Sequence, residues 1–250
     1  MSTRGQDLAR QAEAVAPRVE PAGPVHADAW ARAQTHERAR PDADVAPAPG
    51  GAVRPDATLR ADLALIAGWI EPGARVLDLG CGDGALLAHL QAAKGCSGYG
   101  VEIDDAAVLA CVRRGVNVIQ QDIEAGLDMF AGAHFDVVVL SMAIQATYRT
   151  ERVLREMSAV GREGIVSFPN FGHWSHAWSL VRGSMPVSRE MPYQWYDTPN
   201  LHLTTLADFE AFLDKLGLVH TARACLLDGR PVRWWPGGRA TQAVYRFRRK

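Results

Sequence analysis

The sequence predicts an α/β fold, a mostly parallel sheet with helices on both faces. Three observations carry that prediction. Beyond residue 54, short apolar runs alternate with stretches of helical periodicity. Several runs, such as Phe135 to Leu140, are apolar on both faces, as strands of a covered parallel sheet are. A glycine-rich turn, Asp78-Leu79-Gly80-Cys81-Gly82-Asp83-Gly84, joins the first run to the helix after it. Open α/β sheets bind ligands at such turns.

The elements follow in chain order. Residues 1–52 differ from the rest: the first 50 positions hold 13 alanines and 6 prolines, with no Ile, Phe or Tyr. Such a segment buries too little apolar surface to offset its ordering entropy. It is expected to be a disordered Ala/Pro-rich tail, with short transient helices at 6–15 and 27–39. One domain is expected over 53–250. Pro55-Asp56 opens its first helix, with Leu59, Leu63, Ile66 and Ile70 as one apolar stripe, and Pro72-Gly73 ends it. Strands are predicted at 75–79, 98–102, 116–120, 135–140, 164–168, 218–225 and 241–247. Helices are predicted at 83–93, 105–114, 150–160, 173–183 and 205–216. The last has Thr205 and Asp208 in capping-box spacing and Gly217 just past its end.

Composition narrows the function classes. A chain of 250 residues, 48% of them hydrophobic, can bury a sizeable core. A net charge of −1 argues against broad electrostatic binding to nucleic acid or membrane. No apolar run approaches the roughly 18 residues that span a bilayer. The N-terminus lacks the apolar stretch of a secretory leader. Cys81, Cys96, Cys111 and Cys225 are far apart, form no C-x-x-C pair and have no histidine at zinc spacing. Reduced thiols in a cytoplasmic protein are expected.

The glycine turn admits two nucleotide readings. Gly80, Gly82 and Ala85 satisfy the dinucleotide fingerprint G-x-G-x-x-A. That turn must receive a pyrophosphate, yet Asp78 and Asp83 flank it with no Arg or Lys nearby in sequence. Two carboxylates repel a pyrophosphate and suit a cation, such as the amino group and sulfonium of S-adenosylmethionine. Glu102 closes the second strand, where a carboxylate accepts from ribose hydroxyls. It supports a nucleoside without choosing between the two. Asp122 follows the third strand and either accepts from an adenine amino group or caps a turn.

VLDLGCGDG, GYGVEID, QQDIEAG and FDVVVLS, in that order, resemble the class I S-adenosylmethionine-dependent methyltransferases. Val160-Gly161-Arg162-Glu163-Gly164-Ile165-Val166-Ser167-Phe168-Pro169-Asn170-Phe171-Gly172-His173-Trp174 is narrower and resembles the methionine-biosynthesis protein MetW family. So do Met185-Pro186-Val187-Ser188 and the run from Pro192 to His202. The match covers about 54 to 228. The resemblance implies a Rossmann-like, seven-stranded sheet with its last strand antiparallel. It implies that Asp78, Gly80, Cys81, Gly82 and Gly84 hold the methionine part of S-adenosylmethionine or S-adenosylhomocysteine. Glu102 would then hold the ribose and Asp122 the adenine. It also implies action with, or regulation of, a homoserine O-acyltransferase of the MetX type. The alternative is a methyltransferase acting on a small molecule.

No catalytic residue can be named. The segment after the fourth strand, Ser141 to Ala146, should face a methyl group and offers no acid or histidine. Methyl transfer from sulfonium mainly needs positioning. Candidates for a substrate or partner surface are His173, Trp174, Tyr193, Trp195, Tyr196, Asp197 and His202. They lie in a loop-rich, aromatic stretch between 169 and 204. The alternative for each is packing over the sheet. A metal site at His173, His176 and His202 is not predicted, because the spacing is not distinctive. The last 28 residues carry eight basic groups against Asp228, and are expected to form a solvated terminal hairpin with Trp234 and Trp235 partly packed.

Overall fold

The computed structural model describes residues 59–250. The expected tail, its transient helices and the opening Pro55-Asp56 lie outside the described residues. Strand β1 (Arg75–Leu79) follows helix α1 (Ala61–Trp69) and leads into α2 (Ala85–Lys94). Then come β2 (Ser97–Glu102), α3 (Asp105–Arg113), β3 (Val118–Gln120) and β4 (Phe135–Ser141). Helix α4 (Thr150–Val160) runs directly into β5 (Gly161–Pro169), followed by α5 (Trp174–Val181) and α6 (Leu206–Lys215). The chain closes with β6 (Leu218–Leu227), β7 (Arg230–Pro231), α7 (Pro236–Arg239) and β8 (Gln242–Arg249).

The strands form one sheet in the order β3-β2-β1-β4-β5-β8-β6-β7. From β3 to β5 every pairing is parallel. Strand β8 enters between β5 and β6, antiparallel to both. The sheet therefore has eight strands, not the expected seven. The addition is β7, joined to β6 by Asp228 and Gly229 with φ of 49° and 75°. Positive φ at both positions marks a tight hairpin turn, and Pro231 sits on the edge strand, where a missing ladder donor is tolerated.

Alternation along β1 splits the core into two layers. Leu77 and Leu79 join Leu140, Leu154, Phe168 and Tyr245 on one face. Val76 joins Ile66, Leu86, Leu90, Val139 and Ile165 on the other. The expected solvated terminal hairpin is corrected: Tyr245 and Phe247 of β8 are 0% exposed, because β8 is an interior strand. The exposed rings are instead Trp234 and Trp235, between β7 and α7.

This topology gathers four loops at one edge. Strands β1, β4, β5 and β6 run the same way, so the segments after their carboxyl ends lie together. They are the glycine turn, Met142 to Gln145, Asn170 to His176, and the β6–β7 hairpin.

Candidate functional site

The glycine turn is built by its own backbone. Gly80, Gly82 and Gly84 have φ of 64°, 55° and 74°, which disfavours a side chain at each. A Cβ on Gly84 would also lie 3.0 Å from Cys111 Sγ. The Gly80 and Cys81 N–H groups donate to Val101 O at 2.8 and 3.1 Å, locking the turn to β2. Gly82 N–H donates to Glu102 Oε2 at 2.7 Å. Gly84 N–H donates to Cys81 O at 3.1 Å, and Ala85 N–H to Asp83 Oδ1 at 3.2 Å. A pyrophosphate is held by N–H groups aimed at it, and in this turn these donors are spent internally. That accounting argues against the dinucleotide reading more firmly than charge does.

The charge argument itself changes. Arg114 reaches Asp83 at 2.8 Å, so one of the two flanking carboxylates is neutralised. What remains is buried: Asp78 is 3% exposed and Glu102 is 1% exposed. Glu102 Oε1 also accepts from Ile103 N–H at 2.9 Å and Asp104 N–H at 3.1 Å. With Gly82, that makes three donors on a carboxylate that offers about four acceptor positions. Asp122 caps a short 3-10 turn, its Oδ1 accepting from Glu124 N–H at 2.8 Å, and it is exposed. Behind the turn, Cys81 and Cys111 are free thiols with Sγ atoms 3.7 Å apart. The Cys111 thiol and burial push the Cys81 thiol far up, so it stays protonated.

A second cluster was not legible in the sequence. Asp62, on α1, is 0% exposed. It takes Arg60 in a fork, Nε to Oδ1 at 2.7 Å and Nη2 to Oδ2 at 2.9 Å. Ser141 and Ser167 hydroxyls donate to Asp62 Oδ2 at 3.0 and 3.2 Å. Burial acts to raise the Asp62 carboxyl, but Arg60 and the two serines outweigh it and hold it below the usual range. The network ties α1 to the ends of β4 and β5. The one available signal was that Asp62 lies four residues before Ile66 and so shares its buried face.

The segment after β4 lacks acids, as expected, but carries a conformational oddity and an orphan. Met142 has φ of 53°, and its N–H donates to Ser167 O at 2.9 Å. The Gln145 amide donates to Met142 O at 2.8 Å, while its buried Oε1 has no partner among the described residues. The Gln145 carbonyl accepts from Leu201 and His202 N–H at 2.8 and 3.0 Å, which ties the aromatic stretch to this edge.

The predicted surface residues separate into two groups. His173 is largely buried and caps α5, its Nδ1 accepting from Ser175 N–H at 3.3 Å. Burial, with His176 nearby, holds His173 below its ordinary value. The His173 ring lies 5.8 Å from Trp174 and 5.7 Å from His176. His176 Nδ1 meets Phe171 O at 3.1 Å and must donate there, which leaves a buried Nε2 acceptor without a partner among the described residues. Trp195 and Tyr196 form the other group, edge to face at 5.7 Å and 71% and 72% exposed. Trp174 is 55% exposed, so these three rings project rather than pack over the sheet. Tyr193 is half-buried, and Asp197 and His202 are exposed. No grouping of three or more His, Cys, Asp or Glu suited to a metal occurs among the described residues. No helix among them is long and apolar enough to cross a membrane.

The solved structures that this chain resembles are methyltransferases. One is an S-adenosylmethionine-dependent methyltransferase from Thermotoga maritima, described as a possible histamine N-methyltransferase. It has a TM-score of 0.54 and 16% identity, over 76% of this chain and 88% of that one. A TehB-like methyltransferase from Corynebacterium glutamicum gives 0.54 and 16%, over 91% and 100%. The plantazolicin methyltransferase BpumL, solved with S-adenosylhomocysteine, gives 0.53 and 14%, over 76% and 80%. At these identities the likeness carries the fold alone, and the fold is the Rossmann-like one of S-adenosylmethionine-dependent methyltransferases. Among curated proteins, a bifunctional methionine biosynthesis protein MetXA/MetW of Rhodopirellula baltica is 36% identical over 178 residues. That match takes in 67% of this chain but 29% of the relative, so the chain spans under a third of that protein. The family model described as "Methionine biosynthesis protein MetW" matches residues 60–247, from the Arg60–Asp62 pair through the glycine turn to β8. The chain belongs to the MetW family of methionine biosynthesis proteins.

Proposed function

We propose that the chain binds S-adenosylmethionine or S-adenosylhomocysteine at the glycine turn. We further propose that it acts in methionine biosynthesis with, or as a regulator of, a homoserine O-acyltransferase of the MetX type. The observation that carries the partner reading is the Rhodopirellula relative, whose name joins MetXA and MetW in one bifunctional protein. Proteins joined in one chain in one organism often meet as separate chains in another. The exposed rings supply a surface for such a meeting, since Trp and Tyr are enriched where partners bind. Trp174, Trp195 and Tyr196 are its centre, with His173, Tyr193, Asp197 and His202 around them.

The cofactor reading rests on the turn. Its N–H donors are committed, its glycines admit close approach, and two buried carboxylates, Asp78 and Glu102, stand beside it. That set suits a cationic, sugar-bearing ligand. Asp78 with Gly80, Cys81, Gly82 and Gly84 would receive the methionine part, the remaining acceptor position of Glu102 the ribose, and Asp122 the adenine. S-adenosylmethionine, when bound, would supply an activated methyl on sulfonium.

The test is the initial rate of homoserine acylation by the same organism's acyltransferase, with and without this protein. A several-fold rise is expected. No change, with no association at micromolar concentration, would remove the partner role. Calorimetry with S-adenosylhomocysteine, on the native chain and Asp78→Ala, tests the cofactor site separately.

A small-molecule methyltransferase is the second reading, and one observation favours it. Gln145 Oε1, in the segment after β4, and His176 Nε2, in the first turn of α5, are buried acceptors without partners among the described residues, near the edge where ligands bind in such sheets. They suit a molecule that brings an O–H or N–H. Label appearing in small molecules of a cell extract, from methyl-labelled S-adenosylmethionine, would support it. No label above a protein-free control would remove it.

A further inference from the structure

Beside the β6–β7 hairpin lies a cavity of about 500 Å³, within the range that holds small ligands. Arg230, Arg233 and Arg239 line it with a single carboxylate, Asp228, over a floor that includes Leu227 and Val232. Three positive charges against one negative leave a local balance of +2, in a chain whose net charge is −1. Among the described residues, none of these three arginines is ion-paired to a carboxylate. Arg114, Arg152, Arg223 and Arg246, by contrast, each hold one.

The frame is fixed by hydrogen bonds at several points. The Asp228-Gly229 turn sets Arg230 opposite Leu227. Val232 N–H donates to Cys225 O at 2.8 Å. Asn170 Nδ2 donates to Gly237 O at 2.9 Å and Ala240 O at 2.8 Å, pinning α7 and with it Arg239. The Arg239 guanidinium also sits 5.5 Å over the Trp234 ring. Like charges gathered in one concavity repel unless an anion joins them. Guanidinium forks match phosphate oxygens in geometry as well as charge.

We propose that this cavity is a binding site for a small polyanion bearing phosphate groups. It opens at the same sheet edge as the glycine turn. Its hairpin tip packs on α1, since a Cβ on Gly229 would lie 2.9 Å from Ala61 Cβ. An anion there would be held by the cavity's own charge, independent of any cofactor at the turn.

The test is calorimetric titration of the full chain with inorganic pyrophosphate and, separately, with citrate at low ionic strength. Quenching of tryptophan fluorescence is a second readout, because Arg239 covers Trp234. One saturable pyrophosphate site per chain is expected. Arg230→Gln and Arg239→Gln should each weaken it about tenfold, the loss of a charge-assisted hydrogen bond. Arg248→Gln, on the exposed end of β8, should leave it unchanged. Arg233→Gln, at an exposed position, carries the test if either of the other cavity variants melts early. No saturable binding at millimolar pyrophosphate would overturn the proposal. So would equal binding by the native chain and the variants, or tighter binding of citrate than of pyrophosphate.

Discussion

Two regions of one sheet edge differ in how finished they are. At the glycine turn, the N–H groups of Gly80, Cys81, Gly82, Gly84 and Ala85 all have partners, and two carboxylates beside them, Asp78 and Glu102, are buried. The region around α5 and the stretch before α6 is the reverse. Trp174, Trp195 and Tyr196 stand in water, while Gln145 Oε1 and His176 Nε2 are buried without partners among the described residues. The first region is held in shape by its own hydrogen bonds. The second leaves aromatic rings exposed, which is why it is the surface we propose for a partner. On the function proposed here, the contrast separates binding a nucleoside from meeting a partner.

Four experiments break or sharpen that contrast. The largest effect is expected at the network that ties α1 to the ends of β4 and β5. Asp62→Ala strips a buried carboxylate from Arg60, Ser141 and Ser167 and should cost about 3 kcal/mol in urea unfolding. The cost is moderated because the Arg60 side chain is 33% exposed and can rehydrate. A change under about 0.5 kcal/mol would show that the network does not couple α1 to the edge.

Next are Trp195→Ala and Tyr196→Ala. Each should leave stability within about 0.5 kcal/mol, as surface changes do. Each should weaken association with the acyltransferase by about 2 kcal/mol, roughly thirtyfold, as at interface hot spots. Equal effects on stability and association would mean that the rings pack within the chain. Gly84→Ala probes the finished region. With φ of 74° and Cys111 Sγ 3.0 Å from the new Cβ, it should cost about 1–2 kcal/mol and abolish S-adenosylhomocysteine binding by calorimetry. Unchanged binding would show that the turn is not the ligand cradle.

The smallest effect is on pH. The folded Asp62 carboxyl is held below its unfolded value, so its contribution is full above that unfolded value. It is lost as pH falls through the lower folded value. Stability curves should therefore fall below about pH 4, and Asp62→Asn should flatten that limb. An unchanged acid limb would count against the pairing with Arg60.

Much of the first region was legible because its signals are local. A G-x-G-x-G turn between an apolar strand and a helix is contiguous, and so are the Thr205 cap and the Gly217 stop, which bound α6 as expected. Expected ends differ from observed ones by a few residues, where periodicity fades. Strand β7 was missed because two residues carry no period. The reading of a terminal hairpin failed because nothing local tells an interior strand from an edge one. The aromatic stretch was visible as composition, but not which rings would project.

The sequence by itself determined the order of the longer elements, the glycine turn and the family, since each is written in contiguous residues. Tertiary structure alone decided which charges meet. It set Arg114 on Asp83, 31 positions away, and Ser167 on Asp62, 105 positions away. It also set Arg230, Arg233 and Arg239 around one cavity, through the β6–β7 hairpin and the pinning of α7 by Asn170. The physical reason is that periodicity reports which face of an element is buried, whereas an ion pair depends on which elements the sheet order makes neighbours.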